Sequence, residues 1–283
     1  MNIPFHKYQG AGNDFILIPR ATPEPFPSHV VATLCDRHFG IGADGLLLVC
    51  PTADHDAQMI VQNADGTRPE MCGNGLRCAA LHVASIRSSR GSSTPVSILT
   101  DCGPRACLVE QDCEQSNAQV TVDMGHYTQP EAQTLLIRGM PYPLHIVSVG
   151  NPHAICFELI DDATFTEVAP QIATHPSFPA GINATFATVV DSESLRLRVW
   201  ERGVGPTLAC GTAACAATAA AVAAGMVDPG RAILAHLPGG TLSIAMAASR
   251  FSVQMTGPAD RVFDGFITHA SVGERNATTR ARS

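Results

Sequence analysis

Short apolar runs bounded by Gly, Pro or Asp recur along the whole chain. Their alternating or β-branched character predicts β-strands at residues 15–19, 45–49, 96–100, 118–124 and 195–200. Two longer segments, 75–87 and the alanine-rich 212–224, have helical composition, and Gly225 follows the second as a candidate C-cap. Each predicted helix comes directly after a Cys-Gly pair. The mixture of strands and helices predicts an α/β (α+β) fold.

The chain also contains an internal repeat. Three landmarks recur 138 positions later, namely Gly12-Asn13 as Gly150-Asn151, Asn63 as Glu201, and Cys72 as Cys210. Equal spacing of all three suggests two duplicated α/β halves. We therefore expect an N-terminal domain at 1–123, to which 259–270 returns, a C-terminal domain at 124–258, and a polar, disordered tail at 271–283.

Composition narrows the function classes. The 283 residues carry a net charge of -7 and are 45% hydrophobic, which is typical of a folded globular protein and argues against binding to nucleic acid. No apolar run reaches the roughly 18 residues that a membrane span needs, and no signal-peptide core is present, so we expect a cytoplasmic location. The ten cysteines are then expected to be reduced thiols.

The two Cys-Gly pairs carry the candidate chemistry. A thiol at a helix N-terminus faces unpaired N–H groups and the positive end of the helix dipole, which can lower its pKa from about 8.5 to roughly 3.5–7.5. The backbone donors of the same helix start can bind a carboxylate. Two such thiols, Cys72 and Cys210, could therefore remove a proton from one face of a carbon and return a proton to the other. This chemistry inverts a stereocentre.

We expect no cofactor and no metal. Lys7 is the only lysine that could form a Schiff base, and the dinucleotide fingerprint is incomplete at Phe15. No paired-ligand spacing of the zinc type occurs. Cys78 and Cys215 lie further along the predicted helices and are expected in the core, and the remaining cysteines are expected to be structural, namely Cys35, Cys50, Cys102, Cys107, Cys113 and Cys156.

Five motifs, in order along nearly the whole chain, resemble those of the diaminopimelate epimerases: KYQGAGNDF, NADGTRPEMCGNGLRC, GNPH, WERGVGPTLACGTAAC and LPGG. The resemblance implies an isomerase that interconverts LL- and meso-diaminopimelate without a cofactor, in lysine and peptidoglycan synthesis. It also implies two similar domains, each a curved sheet around a central helix, with the active site in the cleft between them. Members of the family typically form homodimers.

The resemblance assigns roles to individual residues. Cys72 resembles the proton donor and Cys210 the proton acceptor, and these roles exchange with the reaction direction. The family's backbone N–H donors that bind the reacting carboxylate are matched by Gly73, Asn74, Gly211 and Thr212. The family positions that bind the far, non-reacting end of the substrate are matched by Asn13, Asn63, Asn151, Asn183, Glu201 and Arg202. Asp14 and His153 could orient their neighbours. Gly45 stands where some members have a glutamine that touches substrate, so that contact is absent here.

Two other readings stay open. A racemase of the same fold could act on another amino acid, such as histidine or a proline derivative. Alternatively, Cys72 and Cys210 could form a reversible disulfide in a non-catalytic thiol switch. The epimerase needs both thiols free, whereas the switch needs them to pair.

Overall fold

The structure is a computed structural model that describes residues 2–69, 71–87, 93–111, 117–247 and 251–268. The expected tail at 271–283, the last two residues of the expected returning segment 259–270, and Cys113 lie outside these ranges.

The described residues form sixteen strands and four helices. The first half of the chain contains β1 (Ile3–Gly10), β2 (Asn13–Pro19), α1 (Ser28–Cys35), β3 (Gly45–Cys50), β4 (Ala57–Asn63), α2 (Gly73–Arg87), β5 (Ser93–Thr100), β6 (Gly103–Gln111) and β7 (Asn117–His126). The second half contains β8 (Glu131–Ile137), β9 (Met140–Ser148), β10 (Pro152–Cys156), α3 (Asp162–Ala173), β11 (Asn183–Asp191), β12 (Ser194–Glu201), β13 (Gly205–Thr207), α4 (Gly211–Ala223), β14 (Ile233–Leu237), β15 (Gly240–Ala247) and β16 (Ser252–Ile267). All five strands predicted from the sequence are present.

The first lobe is a ring of strands around a helix. Strands β1 to β7 follow one another in order, β7 pairs with the first part of β16, and the last part of β16 pairs with β1. Helix α2 contacts these strands from inside the ring, and it is buried from Gly73 to Ala84. A helix that is buried on all sides over most of its length forms the core of the lobe that surrounds it.

The second lobe repeats this plan. Its strand order is β16-β15-β14-β12-β11-β10-β9-β8, and α4 packs against most of these strands. Strand β16 is long enough to belong to both lobes, so one continuous sheet joins them. The expected fold class, two similar lobes that each wrap a curved sheet around a helix, is confirmed.

The repeat extends to whole elements. Helices α2 and α4 begin 138 positions apart, at Gly73 and Gly211, and β3 and β11 begin 138 positions apart, at Gly45 and Asn183. Both expected domain boundaries fall inside strands, 123–124 within β7 and 258–259 within β16. The division into 1–123 and 124–258 therefore stays a prediction.

The helix ends differ slightly from the prediction. Both helices begin at the glycine of the Cys-Gly pair, although residues 75 and 212 were expected, because glycine has low helix propensity and hides a helix start from a composition-based reading. Gly225 follows α4 at a φ of 69°, with Gly225 N donating to Val222 O and Met226 N donating to Ala221 O. This pattern is a Schellman cap, which satisfies the last carbonyls of α4.

Candidate active site

The two Cys-Gly pairs occupy the starts of the two central helices. Cys72 O accepts from Leu76 N at 2.9 Å and Cys210 O accepts from Ala214 N at 3.1 Å, so each cysteine immediately precedes its helix. The Cys72 thiol also accepts from Gly75 N at 3.3 Å. The early N–H groups of an α-helix have no partner inside the helix, so both helix starts offer donors to a ligand.

The helix starts face each other across the junction of the lobes. A Cβ added to Gly211 would lie 3.8 Å from Gly73 Cα and 2.7 Å from the Sδ of Met255. A Cβ added to Gly73 would lie 3.0 Å from Cε of the same methionine. Met255, on β16, is fully buried. Only glycine at both positions lets the two helix starts approach this closely.

A cavity of about 790 Å³ opens beside this junction. Its walls come from both lobes, with Asn13, Asn63 and Cys72 on one side and Glu201 and Arg202 on the other. The size falls within the range of about 300–1,000 Å³ that is usual for small-molecule sites. Five of the predicted site residues therefore line one cavity.

Burial dominates the electrostatics of both thiols. Burial, against the hydrogen bond from Gly75 and with a smaller contribution from the charge of Glu201, raises the pKa of Cys72 to about 11. Burial and the Glu201 carboxylate raise the pKa of Cys210 well above its usual value, against a hydrogen bond with Thr212. The expectation of lowered thiol pKa values is therefore wrong. The loss of water around each thiol outweighs the favourable helix start.

Glu201 is a carboxylate whose charge affects both thiols. It accepts a hydrogen bond from Thr207 Oγ1 at 2.6 Å. Burial raises the pKa of its carboxyl, while hydrogen bonds from Thr207 and from the Cys210 thiol oppose that rise. Its charge acts on the pKa of both Cys72 and Cys210. A buried carboxylate in this position is suited to pair with an ammonium group.

Side-chain amides connect the lobes at the cavity floor. Asn74 Nδ2 donates to the carbonyl of Ala209, just before Cys210, at 3.0 Å, and to Asn13 Oδ1 at 3.2 Å. Asn13 in turn donates to Asp44 Oδ2 at 2.8 Å. Asn63 Nδ2 donates to Thr67 Oγ1 at 3.0 Å. These bonds orient Asn13 and Asn63 at the cavity wall.

Two of the predicted asparagines lie behind the wall. Asn183 is buried, donates to Pro152 O at 3.0 Å and accepts from Arg202 N at 2.9 Å. Asn151 Oδ1 lies 3.0 Å from His153 Nε2. Burial and the charge of Arg202 lower the pKa of His153 to about 3, so its ring is neutral near neutral pH. Neither asparagine is among the cavity-lining residues.

Sequence reasoning missed a charged cluster at the cavity rim. Lys7 Nζ lies 2.6 Å from Asp14 Oδ2, and Arg37 bridges Asp14 and Asp44 at 2.7 Å each. Arg37 and Asp44 line the cavity and Lys7 is buried against it. The polar residues of the motif QGAGND and of the segment RHFGIGADG could have indicated this cluster. The ion pairs join separate parts of the chain, however, so the sequence did not show that these residues meet. Cys35, expected to be structural, also lines the cavity.

Gly45 has no room for a side chain. A Cβ there would lie 2.7 Å from the backbone oxygen of Gln62 on β4. Cys78 and Cys215 are fully buried, as expected. Within the described residues, no group of three or more His, Cys, Asp or Glu could hold a metal ion, and no helix there is long and apolar enough to cross a membrane.

Solved structures of known proteins share this fold. A hydroxyproline epimerase from Agrobacterium vitis, with bound trans-4-hydroxy-L-proline, matches with a TM-score of 0.73 and 15% identity, over 96% of this chain and 94% of that one. A probable proline racemase from Agrobacterium radiobacter matches with a TM-score of 0.72 and 15% identity, over 94% and 93% of the two chains. The fold is therefore that of a class that includes racemases and epimerases.

Sequence comparison identifies the family within that class. The family model described as diaminopimelate epimerase matches residues 5–129 and 145–262. A diaminopimelate epimerase from Cyanothece sp. is 42% identical over 94% of this chain and 100% of the relative, and a chloroplastic one from Oryza sativa subsp. japonica is 38% identical over 94% and 80%. The chain belongs to the diaminopimelate epimerase family, and it is accordingly an isomerase.

Proposed function

We propose that this protein interconverts LL- and meso-2,6-diaminopimelate by proton transfer between Cys72, one α-carbon of the substrate, and Cys210. The observation that supports this most directly is the pair of Cys-Gly helix starts facing each other beside one cavity. Family membership supplies the substrate and the place in lysine and peptidoglycan synthesis.

The proton balance needs one thiolate and one thiol. The thiolate takes the α-hydrogen as a proton, which leaves the bonding electron pair on the α-carbon. The opposite thiol then gives its proton to the other face of that carbon and becomes the thiolate. Each turnover thus moves the negative charge from one sulfur to the other, and the reverse reaction restores it.

The two helix starts are suited to stabilise the intermediate. Backbone N–H groups of Gly73, Asn74, Gly211 and Thr212 would hold the carboxylate attached to the reacting carbon, because charge develops on its oxygens when the proton leaves. The donors come from the first turns of α2 and α4, which are buried. They are therefore oriented before the substrate binds and need little rearrangement.

Binding would also change the charge state of the thiols. Glu201 raises the pKa of both Cys72 and Cys210 through its negative charge. A substrate ammonium beside this carboxylate would neutralise much of that effect and so favour the thiolate. In this proposal, the substrate itself relieves part of the penalty that burial imposes on the base.

The remaining polar groups would hold the far end of the substrate. Arg202 can bind a carboxylate bidentately, and Asn13 and Asn63 offer both donors and acceptors at the cavity wall. Asn183 would position Arg202 through its backbone bond, and Asn151 would do so more remotely beside His153. Fixing the far stereocentre decides which α-carbon reaches the thiols.

The test uses deuterium exchange. Purified reduced protein is incubated with LL-diaminopimelate in D2O, and chiral analysis and mass spectrometry follow epimerisation and deuterium incorporation at one α-carbon. Cys72→Ala and Cys210→Ala should each lower kcat by about 10²–10⁴-fold, as expected for loss of a general acid or base. Cys102→Ala is the matched control because Cys102 is exposed and not among the cavity-lining residues. Full epimerisation by both the Cys72→Ala and the Cys210→Ala variant would refute the mechanism.

A substrate panel separates the competing readings. Identity of about 40% to diaminopimelate epimerases favours that substrate over histidine or proline derivatives. Turnover of proline or 4-hydroxyproline in preference to diaminopimelate would overturn the assignment. A thiol switch predicts no turnover of any of them by the reduced protein.

Assembly and location belong to the proposal as well. The last part of β16 and the nearby Phe39 expose large apolar side chains, with Phe266 at 69% and Phe39 at 72% exposure. Such a patch is suited to an isologous homodimer contact. Phe266→Glu should convert a dimer to a monomer in sedimentation experiments, and a wild-type monomer would contradict the homodimer. We also propose a cytoplasmic location, which cell fractionation tests.

A further inference from the structure

Arg77 is a buried cation beside the paired helix starts. It lies on α2, five residues after Cys72, and is fully buried. Its Nε donates to the carbonyl of Pro258 at 3.0 Å and its NH1 lies 3.7 Å from the Sδ of Met255. Its remaining nitrogen, NH2, has no hydrogen-bond partner, and no carboxylate pairs with Arg77 within the part of the chain that the structure describes.

An unpaired buried guanidinium is costly. Removing a charge from water costs several kcal/mol unless an opposite charge or a full set of hydrogen bonds offsets it. Arginine cannot escape this cost by losing its proton near neutral pH. A buried arginine with an unsatisfied nitrogen therefore calls for a nearby negative charge that is present during function.

The anions available to Arg77 are thiolates. Its charge acts on Cys72, which precedes α2, on Cys78 of α2 and on Cys215 of α4. Cys78 and Cys215 are in the core, where burial raises the pKa of each thiol to about 12 and keeps it neutral. Cys72 alone among these three lines the cavity. The thiolate that the proposed reaction forms on Cys72 is thus the counter-charge that Arg77 lacks.

Arg77 also contacts the side chain that separates the helix starts. Met255 lies against the backbone of both Gly73 and Gly211, and its sulfur is the atom that Arg77 approaches. The guanidinium therefore lies next to the methionine that packs against both helix starts. It does not line the cavity, so it would act on the reaction through Cys72 and Met255 rather than by touching the substrate.

We propose that Arg77 is a positioning residue whose buried positive charge stabilises the thiolate of Cys72. This inference deepens the proposed function and depends on it only for the role of the thiolate in turnover. The ionisable groups that act on Cys72 include Glu201 at the end of β12, Cys210 before α4, and Arg77 on α2. Cys78, next to Arg77, is also influenced by Asp260 of β16.

The first experiment measures the ionisation of Cys72 without substrate. In the Cys210→Ala background, the rate of iodoacetamide alkylation at Cys72 is followed against pH by peptide mass spectrometry. Arg77→Met should move the apparent pKa of Cys72 upward by about one unit, which lowers the alkylation rate near neutral pH about tenfold. Arg77→Lys, which keeps a cation, should give a clearly smaller shift. The exposed Cys102 in the same protein is the internal control for reagent and pH effects.

Two outcomes overturn the inference. One is an unchanged or lower apparent pKa of Cys72 in Arg77→Met, even if epimerisation is lost, because Arg77 would then be purely structural. The other is an equal shift in the Met and Lys variants. Because alkylation needs no substrate, either outcome would count against the proposal whether or not the protein epimerises diaminopimelate.

Arg77→Gln covers the case in which Arg77→Met does not fold, because glutamine keeps a polar side chain at this position without the charge. It should raise the apparent pKa of Cys72 as Arg77→Met does. An unchanged or lower apparent pKa in Arg77→Gln would contradict the proposal.

Discussion

Gly211→Ala places one methyl group where the two helix starts meet. The added Cβ would lie 2.7 Å from Met255 Sδ and 3.2 Å from its Cε. Non-bonded heavy atoms prefer about 3.5–4.0 Å, so roughly 1 Å of displacement must be absorbed. Met255 is fully buried, and the Gly73 backbone lies on the other side at 3.8 Å, so part of this displacement must move the helix starts.

The expected effect on activity exceeds the effect on stability. Overpacking of a core typically costs about 1–3 kcal/mol, and replacing a helical glycine by alanine returns up to about 1 kcal/mol. The net loss should therefore be about 2 kcal/mol or less. A displacement of about 1 Å between catalytic groups can lower a rate about 10²-fold. We therefore expect kcat to fall about 100-fold in a protein that still folds.

The assay is α-proton exchange of diaminopimelate in D2O, with urea denaturation of each variant in parallel. Gly230→Ala is the matched control, because a Cβ there meets only Asp228 Oδ1 at 3.3 Å and the backbone needs no positive φ. It should keep wild-type kcat. Met255→Ala combined with Gly211→Ala should recover part of the lost kcat if the methionine transmits the clash. A Gly211→Ala protein with kcat within twofold of wild type would refute the close approach of the helix starts.

Three further predictions concern charge and packing. Burial favours protonation of Asp14, but hydrogen bonds from Arg37 and Lys7 outweigh it and lower its pKa from 3.8 to about 2. Because the folded pKa is the lower one, the stabilisation is present above about pH 4 and is lost as the pH falls through 2. Asp14→Asn should thus cost roughly 1–2 kcal/mol at pH 7 and progressively less below pH 4, as urea denaturation can measure, and an equal cost at pH 7 and pH 2 would contradict this. Glu201→Gln should speed alkylation of Cys72 at a fixed pH, because a charge that raises its pKa is removed, yet lower kcat/KM; slower alkylation would contradict the assignment. Gly45→Gln should lower the melting temperature without lowering KM, because its Cβ would meet the Gln62 backbone at 2.7 Å, and a tighter KM in a stable protein would show that the start of β3 accommodates the side chain.

Local sequence patterns predicted much of the fold. Short β-branched or alternating apolar runs located the strands β2, β3, β5, β7 and β12, since such patterns depend on each residue and its near neighbours. The 138-residue spacing of Cys72 and Cys210 reported a duplication, and the two helices begin at that same spacing. The motifs around both cysteines were also specific enough to indicate the family.

The electrostatics of the site did not follow from these patterns. A helix start alone predicted a lowered thiol pKa, whereas burial between the lobes raises the pKa of Cys72 to about 11. Burial depends on which distant segments cover a residue, and no window of sequence contains that information. The same holds for the position of Glu201, from the second lobe, on the cavity that Cys72 also lines.

By itself, the sequence determined five of the sixteen described strands, the duplicated plan, the two cysteines and the family, because each depends on residue identity and spacing along the chain. The tertiary structure alone decided that Asn13, Asn63, Glu201 and Arg202 line the cavity while Asn183 lies behind it. It also decided that Lys7, Asp14, Arg37 and Asp44 form one charged cluster at the rim. Contacts of this kind join residues far apart in the chain, and only the closing of the continuous sheet around α2 and α4 brings them within reach of one another.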